Sequence, residues 1–227
     1  MINNSISDED AQESVYYSIE REELLGMASS VEGRVLEVGC GAGLTLALAK
    51  RMGAVEVVGI ELRPDVALAA SRNPLLDSIL SVDFNEVSEE SLNGKFDLVL
   101  LSHVLEHFSD PSVVLEKIKN LLKPTGELLL AVPNVRHISV LGPLLWSGSF
   151  DYVESGILDN THLRFFTRSS IVKMLRESGW KVNKVLLENG GPRARVVSAM
   201  TLGFFDEFVS YAINISASPI GAGVGES

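Results

Sequence analysis

Between Arg34 and Val132 the chain returns repeatedly to short apolar runs with little polar interruption: Arg34–Gly39, Val55–Ile60, Ser78–Val82, Phe96–Leu101 and Glu127–Val132. A strand with one wet face alternates apolar and polar side chains. A run without that alternation buries both faces, as a strand does in a parallel sheet covered by helices. The intervening stretches carry helix signals. Pro64 suits the first turn of a helix reaching about Arg72. Asp110 before Pro111 couples an N-cap to a favoured first helical residue, and Lys123-Pro124-Thr125-Gly126 stops that helix after Leu122. Thr167 caps a further helix ending at Gly179, and Trp180–Leu187 reads as another strand. Repeated strand–helix–strand units predict a doubly wound α/β sheet, and 227 residues suffice for one such domain.

The remaining segments are less regular. Residues 18–29 read as an amphipathic helix with Ile19, Leu24 and Met27 facing inward, after a flexible N-terminus over 1–15. The alternation breaks at 134–166, a stretch rich in aromatics and glycine. Connections of that length inside a compact domain are usually lids or binding loops. A last strand is expected at Phe208–Ser216, which puts a single domain at 16–217 and a flexible tail at 218–227.

The formal net charge is −11, and no cluster of Lys and Arg suggests a basic groove. An acidic surface repels phosphate backbones, which argues against a nucleic-acid substrate. The polar, acidic start is unlike a signal peptide, and the apolar stretch Ile138–Trp146 is too short to cross a bilayer and contains Gly142 and Pro143. With Cys40 as the sole cysteine, the expectation is a cytoplasmic protein, monomeric or homodimeric.

The residues Val35-Leu36-Glu37-Val38-Gly39-Cys40-Gly41-Ala42-Gly43 join the first run to a helix starting near Leu44. Glycines allow a sharp turn and a close ligand approach, and the helix start offers free N–H groups. A dinucleotide site spaces its glycines G-x-G-x-x-G around a pyrophosphate; here the spacing is G-x-G-x-G, with Leu44 where that third glycine would stand. Glu37 is awkward beside a pyrophosphate but suits a ligand bearing an ammonium and a sulfonium; its other reading is a cap for the turn. Glu61 ends the second run roughly 20 residues beyond the turn, where an acid takes a pair of ribose hydroxyls. Asp83, ending the third run, is either an acceptor for an adenine amino group or a helix N-cap. Phe84 or Leu62 is placed to lie against the ring.

As a set, Glu37-x-Gly39-x-Gly41-x-Gly43, Glu61, Asp83 and Phe96-Asp97-Leu98-Val99 followed by His103-Val104-Leu105-Glu106-His107 resemble class I S-adenosylmethionine-dependent methyltransferases, in the branch of ubiquinone-biosynthesis-type and small-molecule enzymes. The resemblance covers about residues 16–190. Val132-Pro133-Asn134-Val135-Arg136-His137 and Asp159-Asn160-Thr161-His162-Leu163-Arg164-Phe165-Phe166-Thr167 are similar to a bacterial and archaeal subgroup that often accompanies sugar- or surface-modifying genes. The resemblance implies a Rossmann-like, mostly parallel seven-stranded sheet with the last strand antiparallel, helices on both faces and a lid insertion after strand 5. It also implies S-adenosylmethionine, leaving as S-adenosylhomocysteine, held by Glu37, Gly39, Cys40, Gly41, Gly43, Glu61, Leu62, Asp83, Phe84, Ser102 and His103. An aromatic at Tyr16 or Tyr17 would close over it.

Methyl transfer from a sulfonium is an in-line displacement for which the protein supplies position and electrostatics. A hydroxyl or amine acceptor must also lose a proton, so a nearby base helps. All four histidines lie between residues 103 and 162. His103, His137 and His162 are the candidate bases, while His107 reads as packing in the turn before helix 111–122. Asn134, His137, Asp159, His162 and Arg164 either bind the acceptor or satisfy lid backbone. Trp146, Phe150 and Tyr152 either shape an apolar acceptor pocket or form the loop's own small core. His103, Glu106 and His107 match no known zinc signature, so no metal is expected. The expected function is methyl transfer to a small-molecule acceptor, at oxygen or nitrogen rather than carbon. The alternatives are a non-catalytic S-adenosylmethionine-binding protein and an NAD-dependent oxidoreductase.

Overall fold

The computed structural model describes residues 20–189, 200–201 and 205–221. The expected flexible N-terminus, Tyr16, Tyr17, Ile19 and the tail from 222 lie outside the described residues. Seven strands, β1 (Gly33–Val38), β2 (Ala54–Glu61), β3 (Ser78–Ser81), β4 (Phe96–Ser102), β5 (Leu122–Pro133), β6 (Trp180–Asn189) and β7 (Ser210–Pro219), form one sheet in the order β3-β2-β1-β4-β5-β7-β6. Strands β1 to β5 pair in parallel, and β7 runs antiparallel to both β5 and β6. This is the predicted mostly parallel, Rossmann-like arrangement.

Successive residues of the central strands feed two different cores. Leu36, Val99, Leu101, Leu128 and Leu130 join a cluster with Val114, Leu115 and Ile118 of α4 (Pro111–Leu121) and Ile171 and Leu175 of α6 (Arg168–Glu177). Val35, Leu98, Leu100 and Leu129 point the other way, against Leu24 and Leu25 of α1 (Glu22–Leu25) and Leu46 and Ala49 of α2 (Leu44–Arg51). Helices on both faces are why these runs show no polar alternation. Each such fully buried side chain stabilises the fold by about 1.5–3 kcal/mol relative to exposure.

The helix signals act as expected. Pro64 opens α3 (Pro64–Ala70), and Asp110 accepts the N–H groups of Ser112 and Val113 at 3.1 and 3.4 Å. Thr167 forms a capping box with Ser170 at the start of α6. After Leu122 pairs with Phe96, the register slips so that Glu127 pairs with Leu98, and the Lys123–Gly126 turn is looped out.

Three expectations need correction. Among the described residues, the helix expected over 18–29 is a single turn, because Leu24 and Leu25 are buried side by side and Ser29 donates its N–H to Glu127 Oε2 at 2.8 Å, drawing the chain onto the sheet. The last strand starts at Ser210 and continues past 216: Ser218 and Pro219 pair with Lys181 and Trp180, and Asn183 Nδ2 donates to Ser218 Oγ at 2.8 Å. The 134–166 insertion is partly helical, with α5 at Ile138–Ser147; a short α7 (Asp206–Val209) precedes β7. No helix among the described residues is long and apolar enough to cross a membrane.

Candidate active site

The carboxyl ends of β1, β2, β4 and β5 meet at the sheet's ligand edge, where strand order reverses. Gly39, Gly41 and Gly43 adopt φ of +69°, +53° and +75°, the left-handed region that glycine enters without strain. Space enforces the choice as well: a Cβ on Gly39 would lie 2.4 Å from Val104 Cγ2, and one on Gly43 would lie 2.3 Å from Leu76 Cδ1. The N–H groups of Gly39 and Cys40 both reach Ile60 O, at 2.8 and 3.1 Å, which binds the turn to the end of β2.

The resulting pocket is lined by Arg21, Glu37, Gly39, Cys40, Gly41, Thr45, Glu61, Ser102, His103, Val104 and His107. Glu61 Oε2 accepts the N–H of Gly41 at 2.9 Å and Oε1 that of Arg63 at 3.0 Å, so one carboxylate ties two strand-to-helix turns together. Glu37 is buried, and its Oε2 has no hydrogen-bond partner; Ser102 Oγ is likewise unpartnered. Burial pushes the Glu37 carboxyl up to about 8, with the Arg21 charge opposing and the Glu61 charge reinforcing the shift. The Cys40 thiol is raised well above the usual thiol range by burial and by the same two glutamates, and is inert at neutral pH.

The adenine end is less complete. Leu62 is exposed beside Glu61, whereas Phe84 is buried, with Lys117 Nζ 4.6 Å from its ring centroid and Phe108 packed on it edge to face. Of the two candidates for ring contact, Leu62 has the open side chain. Asp83 caps the turn Phe84–Glu86 by accepting the N–H of Asn85 at 2.8 Å, which occupies one of its two oxygens. Tyr17 lies outside the described residues.

The histidines sort into different roles. His103 sits at φ +55°, an uncommon conformation for a non-glycine residue, and lines the pocket. Its Nδ1 lies 3.6 Å from Glu106 Oε1. His107 also lines the pocket, with its ring edge-on to that of His162 at 4.8 Å, so it does more than pack a turn. His162 comes from the 134–166 insertion, is buried, and places Nε2 3.9 Å from the same Glu106 oxygen. Sequence spacing missed this convergence because 54 residues of chain lie between His107 and His162, and the insertion has no period to predict its path.

His137 caps a helix. Its Nδ1 accepts the N–H of Ser139 at 3.2 Å as the cap of α5, and burial holds the imidazole below its ordinary value. The unprotonated nitrogen is thus committed to the helix.

The polar residues of the 134–166 insertion satisfy backbone. Asn134 is buried, spends both amide hydrogens on Glu207 O (2.6 Å) and Ser210 O (2.9 Å), and accepts the N–H of Arg136. Asp159 Oδ1 accepts the N–H and hydroxyl of Thr161 at 2.8 and 2.6 Å, and Arg164 donates to Ser109 O. Phe150 and Tyr152 pack against Phe165, forming the loop's own aromatic cluster, and Trp146 faces solvent.

Two buried groups without partners, Glu37 Oε2 on β1 and Ser102 Oγ on β4, beside a turn too tight for side chains, describe a site for a ligand that brings positive charge and donors. Residues 11–185 match the methyltransferase-domain family. The chain belongs to that family. It is 31% identical over 193 residues, covering 79% of the chain and 75% of the relative, to a ubiquinone biosynthesis O-methyltransferase of Xanthomonas euvesicatoria. Among solved structures it resembles an S-adenosylmethionine-dependent methyltransferase from Mesorhizobium loti (TM-score 0.62, 17% identity, 86% of this chain and 95% of that one). It also resembles magnesium protoporphyrin IX methyltransferase from Synechocystis, solved with S-adenosylhomocysteine bound (TM-score 0.57, 17% identity, 87% and 78% covered).

The methyltransferase uses S-adenosylmethionine, and the residues present fit it. Glu37 Oε2 and Ser102 Oγ have free hydrogen-bonding capacity, and Glu61 stands where ribose hydroxyls are taken. Family membership excludes the nicotinamide reading.

Proposed function

We propose that the chain methylates the hydroxyl oxygen of a small organic acceptor held between the cofactor pocket and the lid. S-adenosylmethionine supplies the electrophilic methyl group. The protein must hold the acceptor oxygen in line with it and take up the hydroxyl proton. His103 lines the pocket and turns Nδ1 toward Glu106, which leaves Nε2 to accept that proton. The Glu106 carboxylate, buried 3.6 Å away, then steadies the imidazolium. The fully buried Glu106, with neither oxygen hydrogen-bonded and one of them 3.6 Å from Nδ1 of a pocket-lining histidine, carries this reading. The ubiquinone biosynthesis O-methyltransferase that the chain resembles supports transfer to oxygen.

S-adenosylhomocysteine release should be measured against panels of small phenols, sugar hydroxyls and amines. The reading expects turnover on a hydroxyl class and its loss in His103→Asn, a residue type that tolerates the left-handed backbone, with cofactor affinity kept. Turnover only on amines, or unchanged turnover in His103→Asn, would refute it.

A further inference from the structure

We propose that Glu106, His107 and His162 bind one divalent transition ion of the zinc class, which pins the lid to the sheet edge beside the cofactor pocket. Each of the three offers one ligand atom, and these atoms all lie within 4.8 Å of one another. Glu106 is fully buried, and neither of its carboxylate oxygens has a hydrogen-bond partner. Buried carboxylates are ordinarily paired, hydrogen-bonded or on a metal. Here the groups facing this one are imidazoles, at 3.6 Å from His103 Nδ1 and 3.9 Å from His162 Nε2.

The imidazoles are oriented for ligation. His162 places Nδ1 3.0 Å from the carbonyl oxygen of Ile157. His107 places its Nδ1 3.3 Å from the carbonyl oxygen of Thr161, with Thr161 Oγ1 at 3.2 Å. An Nδ1–H donated to a backbone carbonyl fixes the tautomer that presents the Nε2 lone pair, the usual support of a metal-bound histidine. Two imidazoles and one carboxylate suit a zinc-class ion rather than magnesium or calcium, which prefer oxygen ligands. Bonds of about 2.0–2.2 Å would draw the ligand atoms inward by about an ångström.

The lid supplies His162, so loading fastens it twice. The main-chain oxygen of Glu106 already accepts the N–H groups of Leu163 and Arg164 at 2.9 and 3.0 Å, and the ion adds a side-chain bond from the same residue. Three protein ligands leave a coordination position open, and His107 also lines the pocket. The ion site does not rest on the methyl-transfer reading.

The full chain, stripped with EDTA, should be titrated with Co²⁺ as a spectroscopic substitute for Zn²⁺, following visible d–d absorption and protease cleavage within the lid. S-adenosylmethionine affinity is measured on the same samples. The proposal expects one saturable equivalent displaced by Zn²⁺, with lid protection on loading. Glu106→Gln, His107→Ala and His162→Ala should each weaken ion binding at least tenfold and lose the protection, while His137→Ala keeps the ion binding. If Glu106→Gln does not fold, the two histidine variants decide. No saturable binding by the parent chain, or unchanged binding in the histidine variants, overturns the ion site. If that happens while cofactor affinity holds, the methyltransferase reading stands and only the ion is wrong.

Discussion

Glu61 at the end of β2 accepts the backbone N–H of Gly41, 20 positions earlier, at 2.9 Å, so the acid proposed to take the ribose hydroxyls also braces the glycine turn. Glu61→Ala therefore carries two costs. Cofactor binding should weaken by about 1–3 kcal/mol through loss of the ribose acceptor, and the ligand-free fold should lose a comparable amount as the N–H groups of Gly41 and Arg63 lose their partner. Calorimetry and thermal unfolding on one preparation separate the two; unchanged affinity would contradict the ribose assignment.

Glu37 makes binding and stability depend on pH. Its carboxyl is raised to about 8 in the folded chain, above its ordinary value, so its contribution to stability is fully present at low pH and fades as pH climbs through that value. Ligand-free stability should fall across this window, and Glu37→Gln should flatten the profile. A cationic ligand favours the carboxylate, so S-adenosylmethionine should release a proton on binding at pH 7 and bind more tightly as pH rises toward about 8. Titrations in buffers of different ionisation enthalpy detect that proton. Equal heats in both buffers would count against the coupling.

Gly39→Ala is expected to abolish cofactor binding. Its φ of +69° and a Cβ only 2.4 Å from Val104 Cγ2 force the turn to move. Adding Val104→Ala should restore part of the stability, because only the clash is relieved and the left-handed strain stays. Wild-type affinity in the single variant would show that the turn tolerates a side chain.

The two histidines at the ends of β4 and β5 should separate cleanly. His137→Ala removes the cap of α5 and should cost about 0.5–2 kcal/mol of stability with little effect on the pH profile of turnover. His103→Asn should lower turnover and alter that profile. The opposite pattern would return proton transfer to His137.

Deleting much of 138–160 should abolish methyl transfer and spare the cofactor. The deletion removes Ile157, whose carbonyl orients His162, but none of the residues lining the cofactor pocket. Loss of cofactor binding from a folded deletion variant would show that the insertion is part of the cofactor site.

What the chain reveals before folding follows from the range of its interactions. The unbroken apolar runs, the Asp110 and Thr167 caps and the glycine turn are local, and each appears in the fold where periodicity and capping chemistry put it. Glu61 was legible as an acid at a strand end, but its second role, bracing Gly41, depends on two strands lying side by side. The 134–166 insertion was legible only as an irregularity. Asn134, Asp159 and Arg164 look identical in sequence whether they meet a ligand or backbone, and partners such as Ser210 and Ser109 decide it. The meeting of His107, Glu106 and His162 is set by tertiary packing alone, so no spacing announces it.

The most direct test of the account is a calorimetric titration of the ligand-free chain with S-adenosylmethionine and, separately, with NADH. The account predicts one equivalent of the sulfonium nucleoside bound, weakened in both Glu37→Gln and Glu61→Ala, and no heat from NADH. Affinity unchanged in both variants, or a saturating NADH isotherm, would contradict it.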